Sequence, residues 1–171
     1  MFLDFSKKFV CECEEYSTYK KYVAAPIFRK SFVLTKEVKR AGIRICGLGF
    51  YELFINGQKI TKGLLAPYIA NPQHFVYYDD YDLKAYLQQG ENVIGIMLGD
   101  GFQNEKTKAW DFRYNEWNSA PKLALSTVIE MEHQEIVFDA SDFRCKKGPI
   151  LFNDLRSGIF YDKRLEEAGW N

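Results

Sequence analysis

The chain has 171 residues, 47% of them hydrophobic and 16% aromatic, enough for one domain of ordinary size with a substantial core. Lys plus Arg and Asp plus Glu both number 23, so the net charge is zero and the basic excess or stripe of a nucleic-acid binder is missing. No apolar run approaches the roughly 20 residues of a helical membrane span.

In residues 1–23, MFLDFSKKFVCECEEYSTYKKYV, charges interrupt every apolar run. The stretch lacks the apolar centre of a secretory signal and reads as an N-terminal extension or a first strand. The four cysteines, Cys11, Cys13, Cys46 and Cys145, show no C-x-x-C spacing of zinc or redox sites, and His74 and His133 lie far apart. A cytoplasmic chain with buried or half-buried free thiols and no zinc site is the expectation.

From there the signals are for strands. Residues 27–35, 42–49, 50–57, 74–83, 92–98, 122–131, 135–141 and 158–165 are short, β-branched or aromatic, and bounded by turn residues. Strands at such spacing, without long amphipathic helices between them, argue for an all-β sandwich or barrel. In LFINGQKI, Asn56-Gly57 is the preferred pair for a two-residue type I′ hairpin. Tyr51, Leu53 and Ile55 should share one face, with Phe50, Glu52 and Phe54 on the other. One short helix is expected in LKAYLQQGEN, where Leu83, Tyr86 and Leu87 recur at helical spacing and Gly90 would form the stop.

Two segments stand out chemically. In YYDDYDL, Asp79, Asp80 and Asp82 cluster, with Asp80 and Asp82 on one strand face. A metal site or an acid pair could be built from such a cluster, but it is read as a polar strand end, Asp82 standing near the N-terminus of the following helix. After Leu98 the strand pattern stops for about twenty residues, beginning GDGFQNEKTKAWDF. Loops longer than roughly 12–15 residues are usually functional or disordered. With Trp110, Phe112, Tyr114 and Trp117, this one does not have a linker's composition.

The segments APIFRKSFVL, AGIRICGLGFYELFINGQKI, YDLKAYLQQGENVIGIMLGDGF, AWDF, PKLALSTVIE and GPILFNDLRSGIFYDKRLEEAGW occur in this order. Together, over residues 24 to 171, they resemble the N-terminal β-sandwich domain of bacterial α-L-rhamnosidases. GLGFYELFING is the most specific piece. The chain departs from that family at Gly99-Asp100-Gly101-Phe102-Gln103, where Gly-Asn-Gly-Trp-Tyr is usual, and at Phe143, where tryptophan is common. The resemblance implies a jelly-roll-like antiparallel sandwich, galactose-binding-like in fold. It also implies a parent enzyme that removes terminal rhamnose by inversion, its catalytic carboxylates on a later helical barrel absent from this chain. The end at RLEEAGWN then reads as the boundary of a module in a longer polypeptide. Its partners would be the downstream catalytic and accessory domains.

Two uses of the aromatic loop stay open. It packs against neighbouring domains, or it contacts sugar, since aromatic platforms beside carboxylate, amide and guanidinium groups suit apolar sugar faces and hydroxyl edges. The sugar reading takes Asp100, Asn104, Trp110, Asp111, Arg113 and Trp117. Some β-sandwich modules of related enzymes bind rhamnose with the help of calcium. By that resemblance Asp100 and Asp111 would be the calcium anchors. Arg156, Tyr161, Asp162 and Arg164 read as the seam to the next domain. The chain by itself is expected to be non-catalytic, and the competing class is a free-standing lectin-like module.

Overall fold

The period-two alternation of the sequence becomes two antiparallel sheets. The computed structural model describes residues 8–18, 20–104 and 117–171. Its strands are β1 (Pro26–Leu34), β2 (Val38–Leu48), β3 (Tyr51–Ile55), β4 (Gln58–Lys59), β5 (Asp79–Asp82), β6 (Gly90–Leu98), β7 (Lys122–Met131), β8 (Gln134–Asp139), β9 (Arg144–Lys147), β10 (Ile150–Asp154) and β11 (Gly158–Tyr161). A five-stranded sheet runs β4-β3-β6-β1-β9, a four-stranded sheet runs β5-β2-β7-β8, and β10 and β11 form a separate hairpin.

The sheets bury one common core. Phe28, Leu53, Ile94 and Ile96 from the first sheet join Ile43, Ile45, Leu125 and Ile129 from the second in a single cluster. Sheets hydrophobic on their facing sides and packed this way make a sandwich. The Asn-Gly turn forms as expected: Asn56 and Gly57 have φ of 51° and 80°, and Ile55 pairs with Gln58.

The strands read in the sequence are recovered with shifted ends, β4 is the return arm of the Asn-Gly hairpin, and β9 and β10 were not anticipated. Residues 74–83 shorten to the four residues of β5. Residues 158–165 end as a strand at Tyr161 and close in a 3₁₀ turn, Lys163–Leu165.

The expected short helix is present, with a correction to its type and its end. Only a 3₁₀ turn, Lys84–Tyr86, forms, and Gly90, with φ 95°, opens β6 instead of stopping a helix. Asn92, fully buried, is the reason. Its Oδ1 accepts from Gln88 N at 2.9 Å and its Nδ2 donates to the carbonyls of Gln88 and Gly90 at 2.7 and 3.1 Å. A side chain that satisfies these backbone groups competes directly with helical bonding.

The outer face of the five-stranded sheet is covered as well. Trp170 packs edge-on to Phe54 with centroids 5.2 Å apart, and Arg29 Nε donates to the Gly169 carbonyl at 3.1 Å. A Cβ placed on Gly95 would lie 2.6 Å from Asn171 Cα, so only glycine lets this strap lie flat on β6. Lys146 of β9 pairs with Glu167 at the strap's start.

Candidate functional site

The long loop has a built stem. Gln103 Nε2 donates to the Trp117 carbonyl at 2.7 Å and to Ser119 Oγ at 2.8 Å. Trp117 Nε1 donates to the Phe102 carbonyl at 3.3 Å, and Ser119 N to the Gln103 carbonyl at 3.4 Å. These bonds hold residues 102–103 against 117–119.

Of the expected sugar residues, Asp100 and Asn104 are each 3% exposed. Asp100 N donates to Asn153 Oδ1 at 2.7 Å and its carbonyl accepts from Gln103 N at 3.1 Å. Asn104 Nδ2 donates to the Ser17 carbonyl at 3.0 Å, tying the stem to the N-terminal segment. Trp117 is half-buried in the stem. Trp110, Asp111 and Arg113 lie outside the described residues, so the structure brings together only Asp100, Asn104 and Trp117.

Beside this stem lies a shallow cleft of about 40 Å³, bounded by Phe50, Tyr68, Tyr77, Phe102 and Gln103. Tyr68 is 81% exposed and meets Tyr77 edge-on at 6.1 Å, and Phe75 meets Tyr77 at 5.4 Å. Sequence reasoning missed this aromatic row because it placed residues 74–78 in a strand. The signal was in PYIANPQHFVYY, where Pro67, Asn71 and Pro72 punctuate an aromatic-rich run.

The acidic cluster is absorbed by the fold. Tyr51 Oη donates to Asp79 Oδ2 and lies 3.0 Å from Tyr81 Oη, joining β3 of one sheet to β5 of the other. Burial, then these bonds, push the Tyr51 phenol far above its ordinary pKa. Asp80 accepts Arg44 as a fork, at 2.8 and 2.9 Å, and Arg44 also lies 4.4 Å from the Tyr78 ring centroid. Asp82 Oδ1 caps the turn at Lys84 N, 2.9 Å away. Each carboxylate has a structural partner.

At the hairpin, Asp154 Oδ1 accepts from Arg156 N and Ser157 N at 3.0 and 2.8 Å, closing the β10–β11 turn. Arg156 is exposed. Asp162 pairs with Arg164 in a fork of 2.9 and 2.7 Å, and that guanidinium holds its carboxyl at a pKa of about 2. Tyr161 donates to Glu166. The four seam residues therefore lie together around one exposed hairpin, with Ile159, Phe160 and Leu165 also facing solvent.

The thiols are free, and burial pushes Cys46 up to about 12. Cys145 is exposed, a correction to the expectation of burial: β9 lies at a sheet margin and pairs only with β1 among the described residues. No group of three or more His, Cys, Asp or Glu is placed to hold a metal among the described residues. No helix there is long and apolar enough to cross a membrane.

Fold and surface together define a β-sandwich module with a loop-end cleft and an exposed apolar hairpin. Residues 36–171 match the family model described as the alpha-L-rhamnosidase N-terminal domain, and the chain belongs to that family. An alpha-L-rhamnosidase of Formosa agariphila is 35% identical over 86% of this chain and 16% of its own length. The solved alpha-L-rhamnosidase of Dictyoglomus thermophilum is 36% identical with a TM-score of 0.76, over 88% of this chain and 16% of that one. That of Streptomyces avermitilis, complexed with L-rhamnose, is 30% identical with a TM-score of 0.77, over 86% and 14%. The chain thus spans about one sixth of the length of these relatives.

Proposed function

We propose that this chain is a non-catalytic N-terminal accessory module of an α-L-rhamnosidase, supporting a catalytic domain carried elsewhere in the same polypeptide. The observation that carries the reading is the apolar hairpin: Leu155, Ile159, Phe160, Tyr161 and Leu165 are exposed on a domain whose core is otherwise complete. Large apolar side chains left exposed together on one hairpin support an interaction site. Glycoside hydrolysis with inversion requires two carboxyl groups about 6.5–9.5 Å apart across the bond. Asp79, Asp80 and Asp82 are engaged by Tyr51, Arg44 and the Lys84 turn instead. Four free thiols accord with a cytoplasmic setting.

The test is turnover of an aryl α-L-rhamnoside. The 171-residue chain should give none and the longer polypeptide should give full activity. Turnover by the short chain would overturn the reading.

A second reading is rhamnosyl binding at the loop end, favoured by the exposed tyrosines beside the Gln103 stem. Trp110, Asp111, Arg113 and Trp117 would then supply platforms and hydroxyl partners, with Asp100 and Asn104 of the stem. Calcium enters through Asp100 and Asp111. Titration with L-rhamnose, followed by tryptophan fluorescence with calcium and then chelator, tests it. Saturation lost in Trp110→Ala makes the loop a sugar site, and loss on chelation adds the metal. A flat response to tens of millimolar, about −2.5 kcal/mol or weaker, removes this reading and with it the lectin-like alternative.

A further inference from the structure

Next to the hairpin is a groove of about 480 Å³ whose lining includes the aliphatic side chains Leu64, Leu65, Leu155 and Ile159. Met97 and Phe50 line it as well. Leu64 is 80% exposed and Ile159 61%. Leu65 has φ of 62°, in the left-handed region that a leucine rarely adopts. The next residue is anchored, since Tyr51 N donates to the Ala66 carbonyl at 2.9 Å. A strained turn that holds two leucines out in water is costly twice over. Such outliers concentrate where a surface is used.

The lining sets the chemistry of the occupant. Glu52 is the one acidic side chain from the sheet at the groove, and it is paired with Lys59. Asp154 is spent on the hairpin turn. A branched aliphatic lining suits leucine-, isoleucine- or phenylalanine-type side chains, not the hydroxyl edge of a sugar. Position points the same way. Phe54 pairs with Gly95 beneath the Trp170–Asn171 strap, and the next outward rung, Glu52 with Met97, is groove lining. A domain joined to Asn171 is therefore delivered beside the groove, and the relatives carry more than five sixths of their length outside the matched part.

We propose that Leu64, Leu65, Leu155 and Ile159 clamp an apolar ridge of a neighbouring domain of the same polypeptide. This rests on the reading of the chain as a supporting module and names the surface through which it supports.

Hydrogen exchange tests it, comparing the 171-residue chain with the longer polypeptide. Amides of residues 62–65 and 155–158 should exchange about ten-fold or more slowly in the longer polypeptide. Leu64→Ser with Ile159→Glu should abolish that protection there while leaving the melting of the short chain unchanged. Rescue of the protection by Leu64→Met with Ile159→Val would separate an apolar clamp from a local folding defect. Protection on another face only would overturn the groove and keep the supporting role. No protection anywhere would overturn both. Protection that appears in the short chain as concentration rises, with a dimer in sedimentation, would make a second copy the occupant and overturn the proposal.

Discussion

Tyr51 is the residue through which the two sheets are joined by hydrogen bonds at the β5 margin, its phenol donating to Asp79 from the opposite sheet. Tyr51→Phe keeps the ring in the core and removes only the hydroxyl, leaving Asp79 short of a partner. The expected cost is about 1–3 kcal/mol in urea unfolding, with no change in the slope of the transition. Asn92 carries more bonds at full burial, including one accepted from Asn56 Nδ2 at 2.9 Å. Asn92→Ala should cost about 3 kcal/mol and loosen residues 86–92, readable as faster amide exchange there. The thiols give a chemical order. Cys46, raised to about 12 by burial, should resist alkylation at pH 8, while exposed Cys145 should react first. Labelling of Cys46 in the native chain would contradict the packing of β2.

At the scale of elements, the strap and the hairpin are the parts with separable behaviour. Gly95→Ala puts a Cβ against the Asn171 backbone, and the strap can yield more easily than β6. The expected result is a strap that peels away: red-shifted Trp170 fluorescence and a loss of roughly 1–2 kcal/mol, with the sandwich intact. For the β11 exit, the Asp162–Arg164 fork has a pH signature. Asp162 titrates near 2 in the folded chain, below an unfolded aspartate at about 3.9. Its contribution is present above pH 4 and is lost as pH falls through about 2. An NMR titration should show that midpoint, returning toward about 3.9 in Arg164→Gln. An unchanged midpoint would mean that the fork does not persist in solution.

Over the whole molecule, both sheets contribute to one core cluster, so the chain should unfold in a single cooperative transition. Separate transitions for the two sheets would contradict the shared core. Part of this architecture was legible beforehand. The alternation in YELFING, the β-branched run of Lys122–Met131 and the Asn56-Gly57 turn each announce their geometry locally. Part was not. The helical spacing in LKAYLQQGEN is real, but Asn92 lies at its far end and acts only once β6 buries it. The candidate site divides in the same way. Composition singled out Asp100, Asn104 and Trp117, whereas burial of the first two in the loop stem depends on Asn153 and Ser17, more than fifty residues away in sequence. Polar and aromatic residues that line an open cleft and those that build its stem are the same residue types, and only burial separates them.

By itself the sequence determined the all-β class, the zero net charge and the turn at Asn56-Gly57, because these follow from residue type and short-range spacing. Only the tertiary structure decided that β1 lies between β6 and β9, that β2 lies between β5 and β7, and that Gly95 receives the chain's last residues. It also decided that the leucines of residues 64–65 line one groove with Ile159. These are long-range pairings, set by which faces bury together across wide sequence separations, and no local preference encodes them.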